Sequence, residues 1–268
     1  MGILNVTPDS FSDGGKFLSV EAAVAQGKKM AGEGADIIDV GGESTRPGAI
    51  KLPAAEELTR VIPVIENLRM AVKVPLSIDT YKSEVARKAL AAGACIINDV
   101  TALRGDRKMA QLAADAKVPV VLMHMKGTPR TMQKRPHYRN AVGEISDFLR
   151  ERASFAIRNG IKSENIIIDP GLGFGKRIED NIDIIRGLEK FRRFGYPVLV
   201  GPSRKSFIGN ILGLSVEERR EGTLAAVTAC VLNGADIVRV HDVREARHAA
   251  LVAGAIRARA IRRQGRKD

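Results

Sequence analysis

The sequence predicts an α/β fold, a (β/α)8 barrel built as a single domain over residues 1–268. Three observations predict it. Short β-branched runs recur along the whole chain, amphipathic stretches separate them, and every run carries a polar residue at or beside its end. Strands that alternate with helices pair in parallel through right-handed crossovers.

The runs are Gly2–Val6, Asp36–Val40, Pro75–Asp79, Cys95–Asp99, Pro119–His124, Ile166–Asp169, Pro197–Gly201 and Asp236–His241. Between them, Val20–Ala31, Ala54–Met70, Glu84–Ala92 and Gly222–Leu232 place apolar residues at helical period. Pro53 stands where a helix can begin, and Gly34, Gly93, Gly160 and Gly234 mark helix ends. Three of those ends echo one another: Gly34-Ala35-Asp36-Ile37-Ile38, Gly93-Ala94-Cys95-Ile96-Ile97 and Gly234-Ala235-Asp236-Ile237-Val238 are variations on one helix-to-strand unit. Eight such units in 268 residues fit a closed barrel better than an open sheet. An open sheet has two edges to protect, and no run here carries the lysines or prolines of a guarded edge.

Composition narrows the class. At 44% hydrophobic the chain has ample material for a core, which excludes a disordered protein. No apolar run approaches the roughly 20 residues that cross a bilayer. The opening Met1-Gly2-Ile3-Leu4-Asn5 lacks a signal-peptide pattern, and Val6 stands where myristoylation needs Ser or Thr. Cys95 and Cys230 lie in apolar runs that read as buried and supply no disulfide framework. A cytoplasmic protein is expected.

There are 43 Lys and Arg against 31 Asp and Glu, a net +12, unevenly spread. Residues 244–268, a predicted C-terminal helix and tail, hold eight basic residues and two acidic ones, at helical spacing that suits a solvated face. Nucleic-acid binding calls for aromatics among the basic residues, and the chain has no Trp and three Tyr. No nucleic-acid partner is expected.

In a barrel the C-terminal ends of the strands build the site. Those ends carry Asn5, Asp39, Asp79, Asn98, His124, Asp169, Ser203, and Arg239 with His241. Singly each is an ordinary helix cap; all eight together point to function. The first two loops, Thr7-Pro8-Asp9-Ser10-Phe11-Ser12-Asp13-Gly14-Gly15 and Gly41-Gly42-Glu43-Ser44-Thr45-Arg46-Pro47-Gly48, are either plain turns or flexible ligand loops, and Arg46 adds a fork suited to phosphate. Arg46, Arg239 and His241 can converge on an anion. Asp79, Asn98 and Asp169 suit a heterocycle with an amino-amidine edge, because two donors there face two carboxylate oxygens. The rim therefore reads as bipolar.

Several motifs fail. Gly171-Leu172-Gly173-Phe174-Gly175 is not a dinucleotide fingerprint, and Gly201-Pro202-Ser203-Arg204-Lys205-Ser206 lacks Walker spacing. Four histidines and two cysteines show no zinc spacing, which leaves room for a magnesium ion held by oxygen ligands and a substrate phosphate. Lys205 is a conceivable Schiff-base lysine, but Arg204 and Ser206 beside it suggest a polar setting instead.

The two opening loop motifs, with Ser77-Ile78-Asp79-Thr80, Ile97-Asn98-Asp99, Leu122-Met123-His124-Met125, Asp169-Pro170-Gly171-Leu172-Gly173-Phe174-Gly175-Lys176, Ser203-Arg204-Lys205-Ser206 and Arg239-Val240-His241-Asp242, resemble the dihydropteroate synthase family of pterin-binding TIM barrels. The resemblance covers essentially the whole chain. It implies a transferase of folate biosynthesis, in which p-aminobenzoate displaces pyrophosphate from 6-hydroxymethyl-7,8-dihydropterin pyrophosphate. It further implies that Asp79, Asn98, Asp169 and Lys205 hold the pterin with Met123 lining its slot, and that Asn5 helps bind Mg2+. Arg46, Arg239 and His241 would take the pyrophosphate; Phe11, Thr45, Pro47, Phe174 and Ser206 would shape the p-aminobenzoate pocket. Asp79, Asp169, Lys205, Arg239 and His241 are the implied catalytic set. A homodimer and ordinary sulfonamide sensitivity are implied as well. Family members usually carry a segment before the first strand, whereas here that strand opens at Met1. The competing member of the superfamily is the pterin-binding barrel of corrinoid methyltransferases, which has no need of the first-loop motif or the anion cluster.

Overall fold

The computed structural model describes residues 1–7, 16–45 and 48–264. In chain order the elements are β1 (Gly2–Asn5), α1 (Lys16–Gly32), β2 (Ile38–Gly41), α2 (Ala54–Ala71), β3 (Leu76–Asp79), α3 (Ser83–Ala92), β4 (Ile96–Asp99), α4 (Met109–Ala116), β5 (Val120–Met123), α5 (Ala141–Arg158), β6 (Ile166–Asp169), α6 (Ile178–Arg186), α7 (Leu188–Arg192), β7 (Leu199–Val200), α8 (Ser206–Leu212), α9 (Arg220–Leu232), β8 (Ile237–Val238) and α10 (Val243–Gln264).

β1 to β6 form one parallel sheet in sequence order, and β7 pairs with β8. Single parallel bridges close the ring: Ile168 pairs with Val198, and Gly2 with Val240. The chain is thus a (β/α)8 barrel, as the strand pattern predicts. β7 and β8 are shorter than their sequence runs because Pro202 follows Gly201 and because pairing continues through isolated bonds. Arg239 N donates to the Val200 carbonyl at 2.8 Å and Val240 N to the Met1 carbonyl at 3.0 Å.

Strand alternation sorts the side chains into an outer core and an interior stack. Outward residues such as Leu4, Ile38, Val40, Ile78, Ile97, Leu122 and Ile168 pack under the helices. Inward, Met1, Val121 and Leu199, with Ile37, Ile167 and Ile237 against them, make an apolar floor. The N-terminal amine donates to the Val238 carbonyl at 3.0 Å, and burial lowers its pKa. Above that floor, the inward positions of β2 to β6, with Arg239 just after β8, are Asp39, Ser77, Asn98, Met123, Asp169 and Arg239.

The echoed helix ends share a backbone reason. Gly34, Gly93 and Gly234 have φ of 90°, 124° and 117°, values that a side chain would strain, and each turns the chain from a helix into the next strand. One expectation is overturned: Cys230 is buried, but Cys95 is exposed, because it precedes β4 at the foot of the barrel rather than lying within the strand. No helix among the described residues is long and apolar enough to cross a membrane.

Candidate active site

Asp39 is the hub of the mouth. It is fully buried at the middle of β2, and its Oδ2 accepts from Asn98 Nδ2 at 2.8 Å and from Arg239 Nε at 2.6 Å. Arg239 Nη2 donates to Asp79 Oδ2 at 2.7 Å. Burying a carboxylate without a counter-charge is costly, so the arginine just after β8 serves two acids on β2 and β3. This corrects the bipolar rim. Arg239 is interleaved with the acidic residues, and Asp39, read from sequence only as one strand end among eight, organises both kinds of group. Because Asn98 gives its amide N–H to Asp39, its Oδ1 is the atom turned to a ligand's donor.

Asp79 and Asp169 lie across the mouth. Burial raises Asp79 to about 7, against the opposing pull of Arg239. Burial also raises Asp169 to about 6, opposed by the Gly171 N–H, which donates to its Oδ1 at 2.7 Å, and by Lys205. Lys205 is lowered to about 8 by burial and by Arg239, while Asp169 and Asp79 hold it up. Its Nζ lies 4.1 Å from the centroid of the Phe174 ring. Carboxylates that titrate near neutrality beside a lysine of depressed pKa mark a site built for proton-bearing ligands.

Arg204 explains why Lys205 points inward. Its backbone sits in the left-handed region at φ 55°, and its guanidinium holds Asp242 through Nη2 at 2.7 Å and Nε at 3.2 Å. That pair fixes the turn between β7 and α8. Ser203 Oγ meets His241 Nδ1 at 2.9 Å, which sets the imidazole at the end of β8. Ser206 is exposed at the start of α8, Met123 is buried beside Phe174, and Asn5 and Thr45 are half-buried. Phe11, Arg46 and Pro47 lie outside the described residues.

His124 does not join the mouth. Strand parity turns it outward, where its ring meets Phe148 of α5 edge-on at 4.8 Å. The glycines after β6 let that loop lie against the β5 loop. A Cβ on Gly171 would sit 2.0 Å from the His124 carbonyl, and one on Gly175 2.3 Å from that of Lys126. The base of the second loop is pinned by a cluster that sequence reading missed. Lys82 bridges Glu43 of the loop and Glu57 of α2, and the Tyr81 hydroxyl donates to Glu43 at 3.2 Å. Only the tertiary fold brings these four residues together.

Among the described residues no group of three or more His, Cys, Asp or Glu could cage a metal. The donor in place is the Asn5 amide. A single oxygen ligand fits magnesium that keeps most of its waters and arrives on a substrate phosphate, rather than a resident ion.

Fold and site together define a barrel enzyme that works at the C-terminal mouth of its strands. The sequence model of the family described as pterin binding enzymes matches residues 1–241. The chain belongs to that family, on its dihydropteroate synthase branch. It is 48% identical over 257 residues to the dihydropteroate synthase of Synechocystis, covering 96% of this chain and 89% of that one. The dihydropteroate synthase of Xanthomonas albilineans, solved with 4-aminobenzoic acid, superposes with a TM-score of 0.91 at 50% identity, covering 96% of this chain and 92% of that one. The Yersinia pestis enzyme, solved as a complex with a sulfonamide drug, superposes with a TM-score of 0.91 at 41% identity, covering 96% and 94%.

Proposed function

We infer that this chain is a transferase that condenses 6-hydroxymethyl-7,8-dihydropterin pyrophosphate with p-aminobenzoate, giving 7,8-dihydropteroate and pyrophosphate. The observation that carries this is the mouth, where Asp79 and Asp169 act on the charge of Lys205 and Asn98 shares Asp39 with Arg239, in a chain that aligns with dihydropteroate synthases over nearly its whole length.

In this reading Asp169 and Asp79 accept from the pterin's N–H groups, Asn98 offers its Oδ1, Lys205 donates, and Met123 lines the slot. The C–O bond to the leaving group breaks, and positive charge develops on the pterin methylene. Asp169 stabilises that delocalised cation from a site where water is scarce. The aniline nitrogen attacks the methylene carbon and then loses a proton, which the departing pyrophosphate can accept. Arg46, Arg239 and His241 take the pyrophosphate, with Arg239 anchored from below by Asp39 and Asp79. Asn5 would hold Mg2+, whose chemistry is to neutralise charge on the leaving group. Phe11, Thr45, Pro47, Phe174 and Ser206 shape the p-aminobenzoate pocket, where sulfonamides compete.

We further read residues 1–268 as one cytoplasmic domain that acts without nucleic acid. A homodimer formed through the adjoining helices α8 to α10 would cover Ile211, Leu212, Leu251, Val252 and Ile256, all exposed. The deciding experiment measures pyrophosphate release from the dihydropterin pyrophosphate with Mg2+, with and without p-aminobenzoate. Release that depends on p-aminobenzoate, with dihydropteroate as product, is expected. A folded sample that releases none would refute the assignment.

A further inference from the structure

The reaction as derived uses no atom of Lys176, yet this lysine is only 4% exposed. Its Nζ reaches three acceptors: His124 Nδ1 at 3.0 Å, the His124 carbonyl at 3.3 Å and the Phe174 carbonyl at 3.1 Å. Among the described residues no carboxylate lies within ion-pair distance of that ammonium. Burial, with Lys176 alongside, pushes His124 down to about 2, so the imidazole is neutral and its Nδ1 lone pair accepts from the lysine. The ring in turn is wedged against Phe148 of α5. Lys176 therefore ties the end of β5, and the helix behind it, to the loop that follows β6.

That loop is suspended by its carbonyls. Gln133 Nε2 donates to the Gly173 carbonyl at 3.0 Å and the Tyr138 hydroxyl to that of Gly175 at 2.9 Å, both from neutral side chains. The Phe174 carbonyl between them takes its bond from the buried lysine. The Phe174 ring covers Lys205 Nζ. A buried cation is expensive to keep, and burial pulls Lys176 down to about 7.

We infer that Lys176 is a positioning residue for the p-aminobenzoate pocket: its ammonium pins the Phe174 carbonyl to the end of β5 and so fixes the Phe174 ring over Lys205. This deepens the proposed reaction and rests on it. The pterin contacts at Asp79, Asn98 and Asp169 stand on strands β3, β4 and β6 and share no hydrogen bond with the tether, Asp169 feeling Lys176 only through its charge, so the two substrates separate its effect.

Lys176→Met keeps the stem and removes the donor. It is expected to raise KM for p-aminobenzoate about tenfold, with kcat and the Kd for the dihydropterin pyrophosphate changed less than about threefold. Phe174→Ala should raise the same KM, and the double variant should be no worse than Phe174→Ala alone, because the lysine acts through the ring. Additive effects, or equal weakening of both substrates, would overturn the proposal. If Lys176→Met fails to fold, His124→Gln decides, since it disturbs one of the three acceptors; the same selective rise in KM is expected, and an unchanged KM refutes it. An inactive wild type would count against the reaction itself, whereas an active wild type with unaltered variants counts against Lys176 alone.

Discussion

Replacing Arg239 with methionine removes the cation that two buried carboxylates share. Its guanidinium lies 2.6 Å from Asp39 and 2.7 Å from Asp79, with Asp39 fully buried and one of its oxygens without a hydrogen-bond partner among the described residues. Removing one partner of a buried ion pair costs about 3–5 kcal/mol, because the remaining charge is uncompensated. Here a proton can partly replace the arginine, since burial already holds Asp79 at about 7. The sign follows from linkage: a carboxyl whose folded pKa is raised binds more protons folded than unfolded, so its contribution to stability is present below about pH 4 and is lost as pH rises through the folded value. Without Arg239 the pKa of Asp79 climbs further, and the loss extends to higher pH. At pH 8 the variant should lose about 4 kcal/mol, and at pH 6 about 1–2 kcal/mol less, because one pH unit against one proton is worth about 1.4 kcal/mol. Urea unfolding of wild type and R239M at both pH values measures this, provided that the m-values agree. A loss under about 1 kcal/mol, or one that is the same at both pH values, would refute the account of Arg239 as the shared counter-ion. R239K should recover only part, since an ammonium cannot reach both acids with the geometry of a fork.

Four further outcomes follow from the same geometry. Turnover of the dihydropterin pyrophosphate, followed as kcat/KM from pH 5 to 9.5, should fall below about 7 as Asp79 and then Asp169 take protons, and above about 8 as Lys205 loses one; a flat profile contradicts these roles. Asp169→Asn should remove the lower part of the acid limb, leave the part set by Asp79, and lower turnover; an unchanged rate would remove Asp169 from the mechanism. Lys82→Met strands Glu57, which is 1% exposed, and should cost about 3 kcal/mol in thermal or urea unfolding, while adding Glu57→Leu to Lys82→Met should recover most of it. Gly175→Ala, at φ 66° with the Lys126 carbonyl 2.3 Å from the new Cβ, should destabilise by about 3 kcal/mol; a variant as stable as wild type would mean that the loop can lift away freely.

The period of the sequence was enough for the barrel. β-branched runs and helical stripes alternate eight times, and parallel pairing with right-handed crossovers leaves few ways to assemble them. The strand-end rule also placed Asp79, Asn98, Asp169 and Arg239 at one mouth, because barrel geometry brings every C-terminal strand end to the same side. Strand parity could have excluded His124, which sits one residue beyond inward-facing Met123. Apolar surroundings misled at Cys95, since a run of hydrophobic residues does not reveal where its strand begins.

Partnership was the part that sequence could not decide. Asp39 and Arg239 are 200 residues apart, and nothing in either segment says that one acid will hold both an amide and a guanidinium. The same holds for Lys176 with His124 and for Lys82 with Glu43 and Glu57. Residue types and periodicity determine which elements form and which ends meet, because those are local and repetitive properties. Which buried charge finds which counter-charge depends on closure of the ring, where strands distant in sequence become neighbours and each ion taken from water must be satisfied by whatever the fold places beside it.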